Sequence, residues 1–130
     1  MGEGETDFVV ASNAEMALDH VLNYPNPFTT NTEFMFEHNL PYQELDVLVQ
    51  IYTVAGQLVK SIHQNVPASE NDGYRIRGIQ WDGLDEFGDR IGRGVYVYKV
   101  SVRAAGLPVA DAETTKTQQE SQYQKLVILR

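Results

Sequence analysis

Apolar residues recur at every second position along much of this 130-residue chain, the spacing of strands that bury one face. In TEFMFEH, Phe34 and Phe36 share one face and Glu33 and Glu37 the other. LDVLVQIY sets Leu45, Val47, Val49 and Ile51 on one side and Asp46, Leu48, Gln50 and Tyr52 on the opposite side. That pattern predicts a central strand partly covered on both faces. GQLVKSIH follows through Ala55-Gly56, where glycine supplies the positive φ that a hairpin turn demands. NDGYRIRGIQW reads as a turn entering a strand, and VYVYKVSVR has β-branched or aromatic residues at nearly every position. YQKLVILR closes the chain, with DHVLNYP as one further strand upstream and DFVV as a weaker one. No long stretch carries apolar residues at helical spacing. The prediction is an all-β fold, an immunoglobulin-like antiparallel β-sandwich of about seven strands.

Two segments break the alternation. Residues 1–15 are largely polar or small and open on an acidic, glycine-rich run. They are expected to be a linker or an added N-terminal segment, which makes the chain a fragment with residues 16–130 as its domain. Residues 104–122 are polar and alanine-rich, and are expected to form a long loop. Between the first two full strands lies NYPNPF, in which Pro25 and Pro27 fix φ and bias Tyr24 and Asn26 towards extended backbone. Such a stiff segment suits a sheet edge or a crossing between sheets.

Composition narrows the chemistry. A chain of this length can bury about two-thirds of its unfolded surface, enough for an independent core. The formal net charge of −8 opposes nucleic-acid binding and gives no attraction to an anionic membrane. The absence of cysteine removes disulfides, thiolate metal sites and cysteine nucleophiles. No apolar run approaches the roughly 18–20 residues of a spanning helix, so no direct membrane insertion is expected.

Candidate sites are few. DGLDEFGD crowds Asp82, Asp85, Glu86 and Asp89 into one loop, but the spacing fails the alternation of a calcium-binding loop and reads as a solvated connection. His20, His38 and His63 lie on separate strand segments, so no metal site is expected. No serine sits in a nucleophile elbow, and no catalytic constellation is visible. Trp81, Tyr96, Tyr98, Tyr52 and Tyr74 offer aromatic faces that could stack on sugars, against a plainer role in core and cross-strand packing. Trp81, just before Asp82-Gly83, is expected to pack between the sheets. No cofactor is implied.

Four segments in fixed order, NYPNPFTTNTEF, VQIYTVAGQLV, WDGLDEFGDRIGRGVYVYKV and the terminal KLVILR, together resemble the C-terminal sorting domain of the type IX secretion system of Bacteroidetes. The resemblance covers roughly residues 22–130. It is strongest to the version carried by that system's own sortase, a gingipain-like cysteine protease whose catalytic residues would lie outside this chain. The third segment is also similar to the immunoglobulin-like domain of flagellar hook-capping proteins. The family implies a non-catalytic address: export to the periplasm, passage through the outer-membrane translocon, and docking at the cell surface. The implied partners are an outer-membrane shuttle (PorV-like) and the translocon's attachment complex. Carried onto this sequence, the sorting signal is Lys125, Leu126, Val127, Ile128, Leu129 and Arg130. The structural motif residues are Tyr24, Pro25, Asn26, Pro27, Gly56, Trp81, Asp82, Gly83, Gly94 and Tyr96. Alternation predicts that one of the pairs Leu126/Ile128 and Val127/Leu129 is buried and the other offered outward. The terminal strand's free edge is expected to accept a partner by strand addition, with Lys125 and Arg130 pairing with its carboxylates. Exposed edges also suggest a homodimer through edge-strand pairing or strand exchange. Removing 125–130 is expected to leave most of the β-structure in place. A structural adaptor and a carbohydrate-binding module are the alternative readings.

Overall fold

The computed structural model describes residues 16–105 and 118–130. Among these, eight strands and one 3₁₀ turn at Ala68–Glu70 build an antiparallel β-sandwich. One sheet has the order β1 (Leu18–Tyr24), β2 (Thr32–His38), β5 (Arg75–Trp81). The other runs β4 (Leu58–Val66), β3 (Leu45–Thr53), β6 (Gly94–Ala104). The far side of β6 is shared by β7 (Gln118–Glu120), opposite residues 101–103, and β8 (Gln124–Ile128), opposite 94–98.

The alternation seen in the sequence becomes the core. Phe34, Phe36, Ile76, Ile79 and Trp81 of the smaller sheet face Val47, Val49, Ile51, Tyr98 and Val100 of the larger, all buried. Phe34 meets Tyr98 edge-on at 4.8 Å between ring centroids, an arrangement that suits the ring quadrupoles. The same burial pushes the Tyr98 phenol well above its ordinary pKa. β3 is central, with its odd-numbered side chains from Leu45 to Ile51 buried and the even ones half-buried, as its two-sided pattern predicts. Its hairpin to β4 turns through Gly56 at φ +98°.

Where the pattern is irregular, a bulge accounts for it. The β2–β5 register shifts between Phe34 and Phe36, and Gly78 at φ +87° donates its N–H to the Glu33 carboxylate at 2.5 Å. The segment expected to be one long loop also yields strand: β6 runs to Ala104, and Gln118–Glu120 adds β7 beside it. Alternation cannot mark a three-residue strand. The remainder of that segment (106–117), residues 1–15 and the weak DFVV strand lie outside the described residues.

Buried polar groups hold the connections. Asn71 sends both amide hydrogens to the carbonyls of Leu40 and Gln43 at 2.8 Å, anchoring the β2–β3 link. His38, buried beside Phe36, accepts the Leu40 N–H on Nδ1 at 3.0 Å. Desolvation lowers its pKa from 6.5, opposed in part by the Asn71 side chain.

Candidate functional site

β8 shows why its sequence alternates. Leu126 and Ile128 point between the sheets and are buried, whereas Lys125 and Leu129 are exposed and Val127 is half-buried. The backbone pairs antiparallel with β6, matching Leu126 to Tyr96 and Ile128 to Gly94. Gly94 opens β6 at φ +146°, a conformation that a side chain disfavours although space for one exists. The Tyr96 hydroxyl donates to the Gly92 carbonyl at 2.8 Å and fixes the turn into β6.

The opposite edge of β8 is not free. The Asn26 side chain lies along it as a surrogate peptide: Nδ2 donates to the Lys125 carbonyl and Oδ1 accepts the Val127 N–H, both at 3.0 Å. Phe28 continues the ladder in parallel sense. Its N–H donates to the Val127 carbonyl at 3.0 Å, and its carbonyl accepts the Leu129 N–H at 2.8 Å. Four edge groups that strand addition would need are therefore satisfied within the chain. This corrects the expectation of an open terminal edge. Alternation reports which face a side chain takes, not whether a distant loop has filled the ladder.

The loop that fills the edge is itself held. Asn26 Nδ2 also donates to Asn23 Oδ1 at 3.1 Å, and Asn23 Nδ2 donates to the Thr32 hydroxyl at 3.0 Å. Thr32 in turn donates to the Pro25 carbonyl at 2.8 Å. The peptide bonds before Pro25 and Pro27 are both cis. Asn23 and Thr32 are buried, whereas Tyr24 is 71% exposed and its ring takes no part in this network.

Phe28 then drops into the core and meets Trp81 edge-on at 5.7 Å. Trp81, buried as predicted, donates Nε1–H to the Leu84 carbonyl at 2.9 Å, while Asp82 Oδ1 accepts the Leu84 N–H at 3.1 Å. Gly83 at φ +77° lies beneath the end of the chain, and its carbonyl accepts a hydrogen bond from Arg130 Nη2 at 2.9 Å. A Cβ at that position would overlap the Arg130 guanidinium and rest in ordinary contact with Phe28. Arg130 is thus folded onto its own domain, with Nε buried and without a hydrogen bond, and is not held out for a partner. Lys125 remains exposed and forms no ion pair among the described residues.

Of the residues singled out in the sequence, Asn26, Pro27, Trp81, Asp82, Gly83, Gly94 and Tyr96 gather on β8 and its flank. Gly56 stands apart in the β3–β4 turn, and Pro25 acts through its carbonyl. Sequence reasoning missed the part played by Phe28, Asn23 and Thr32. The TTNT run after NPF signals a turn, but nothing local tells that Thr32 is buried.

Other candidates fare less well. The aromatic set does not form one surface, since Trp81 and Tyr98 are in the core while Tyr74 is exposed. Tyr52 instead meets Tyr123 edge-on at 5.8 Å on the outer face, with the Lys99 ammonium 5.6 Å from the Tyr123 ring. Lys99 pairs with Glu120 at 3.2 Å, which raises its pKa. In the acidic loop, the Asp85 carboxylate already accepts the N–H groups of Phe87 and Asp89 at 2.9 Å. Glu86 caps the β4 edge through the Ser61 N–H at 2.8 Å. Among the described residues the histidines do not converge, although exposed His20 gathers exposed Asp19 and half-buried Glu37, a group not foreseen from sequence. Glu37 also holds Arg75 at 2.9 Å, so the cluster reads as a surface ion-pair network.

No protein-family model matches the chain, and no curated protein matches it. Among solved structures, the chain is similar to dimeric latent PorU from Porphyromonas gingivalis, with 31% identity and a TM-score of 0.71 over 89% of this chain. It spans 10% of the length of that protein, and is related to that segment of it. The C-terminal domain of wzt matches at 16% identity with a TM-score of 0.52, over 90% of this chain and 75% of that one, a likeness of fold alone. Truncated FlgD from Helicobacter pylori matches at 17% identity with a TM-score of 0.45, over 88% of this chain and 70% of that one, which is too loose to bear on function.

Proposed function

We propose that this chain is a non-catalytic sorting and docking domain of the type IX secretion system, related to the C-terminal domain of PorU. It directs its parent protein from the periplasm across the outer membrane and docks it at the cell surface, with the terminal strand as the address. A PorV-like outer-membrane shuttle and the translocon's attachment complex are its partners. The observation that carries this reading is the likeness to a segment of PorU at 31% identity over 89% of the chain. A second supports it: NYPNPF, the WDG segment and KLVILR, far apart in sequence, meet on one strand. A chain built to present its terminal strand needs such a cradle, because an unsupported terminal hexapeptide would fray. The chain contains no cysteine, so the protease chemistry of a PorU-like parent cannot reside in it.

The test is gain of function. The chain is joined to the C-terminus of a periplasmic reporter in a bacterium with an active type IX system. Reporter exposed to external protease is the expected result. Reporter retained in the periplasm with the appended chain folded would overturn the proposal. Truncating residues 125–130 is a poor control, contrary to the sequence expectation. It removes the buried Leu126 and Ile128 and uncovers Phe28, so the fold would be lost together with the address.

A further inference from the structure

The two free aspects of the terminal strand differ: its edge is filled and its outward face is not. Outward, Lys125 lies across from Val97 and Val127 across from Val95, with Leu129 beyond them. Val95 is 46% and Leu129 52% exposed, an apolar row on the outer face of the larger sheet. Charge sets the same region apart. Among the described residues of this acidic chain, Arg90, Arg93, Lys125 and Arg130 form no ion pair, whereas every other lysine and arginine does. All four lie on β8, beside it, or on the connection that leads into β6. Asp82 and Asp85 of that connection have their carboxylates turned onto backbone N–H groups.

On the premise that this strand is the address, we propose that its partner reads it face-on, by packing against Val95, Val97, Lys125, Val127 and Leu129, and not by adding a strand. The partner surface is that of a protein, apolar at its centre, with carboxylates opposite Lys125 and Arg93. Strand addition would have to displace four hydrogen bonds and expel Phe28, which is 2% exposed, from its place against Trp81. Packing on the face requires only the removal of water from side chains already outside. The net charge of −8 opposes an anionic lipid or polysaccharide surface, whereas a protein surface can cover the apolar row and pair the local cations.

Calorimetric titration of the chain into a detergent-solubilised PorV-type shuttle, at low and high salt, tests this. Lys125→Glu and Val95→Glu are each expected to weaken binding on the order of tenfold or more. Wild-type affinity should fall as salt rises. Asn26→Ala, which opens the edge, should not tighten binding. Circular dichroism verifies that each variant is folded. If the wild type binds but the two face variants bind equally well, or Asn26→Ala binds more tightly, face-on reading is overturned and the sorting function stands. Absence of any wild-type binding removes both together. Retention on phosphatidylglycerol vesicles that is lost in Lys125→Glu would replace the protein partner with a lipid surface and overturn the proposal.

Discussion

Asn26→Ala probes the clasp on the terminal strand directly. The substitution removes three hydrogen bonds, to the Lys125 carbonyl, from the Val127 N–H and to Asn23 Oδ1, at 3.0, 3.0 and 3.1 Å. Each such bond contributes about 0.5–1.5 kcal/mol net. The two on the strand edge are exposed, so water takes over part of their role and the low end of that range applies. The sum is about 1.5–3 kcal/mol, a substantial share of the roughly 5–15 kcal/mol of a typical domain. With a urea slope of about 1–3 kcal/mol per molar, the midpoint should fall by on the order of 1 M. Unfolding can be followed by the fluorescence of Trp81, the sole tryptophan, whose ring meets Phe28 just beyond the clasp. Amide hydrogen exchange adds position. Protection at Val127 should be lost in the variant, while Leu129, bonded to the Phe28 carbonyl, keeps more of its own. Asn26→Asp sharpens the test, because it keeps the acceptor for Val127 but sets a carboxylate oxygen against the carbonyl of Lys125. It should cost more than the alanine substitution at neutral pH. An unchanged midpoint with Val127 still protected in Asn26→Ala would refute the clasp.

Further outcomes follow from the same geometry. Leu126→Ala and Ile128→Ala should each cost roughly 2–5 kcal/mol in urea unfolding, because both side chains are buried. Leu129→Ala should change stability by no more than about 0.5 kcal/mol, and equal costs for all three would show that the strand is not seated as described. Gly83→Ala meets both a φ of +77° and the Arg130 guanidinium, and should cost roughly 1–3 kcal/mol. Adding Arg130→Ala should recover the part due to overlap and leave the backbone part, so strictly additive losses would exclude the contact. Burial lowers the pKa of His38 below 6.5, so the unfolded chain takes up the proton first as pH falls. Stability should then be full above pH 6.5 and decline as the pH drops through the folded-state pKa. In His38→Asn, whose Oδ1 can keep the Leu40 N–H, the urea midpoint measured from about pH 7.5 to about pH 5 should lose that part of its slope.

The legible parts of this protein are those written in local order. The alternation in 45–52 specified a two-sided central strand, and β3 is that strand. Alternation at the chain end required one face in and one out, and Leu126 and Ile128 are in. The less legible parts depend on residues about a hundred positions apart. Asn26 and Val127 meet across 101 positions, and no period or propensity connects an asparagine before a proline to the edge of a strand so far downstream. For the same reason Arg130 reads in sequence as a free terminal charge, when its nearest acceptor is the carbonyl of Gly83.

What the sequence determined by itself was therefore the longer strands, their inward faces and the absence of cysteine chemistry, since each follows from side-chain type and a period of two. The tertiary structure alone decided that the terminal strand keeps its face open and its edge shut. That outcome depends on which backbone groups find partners, and every residue carries the same N–H and C=O whatever its side chain. The pairing of those groups is a property of the assembled sandwich, where NYPNPF is brought against the last strand and completes its ladder.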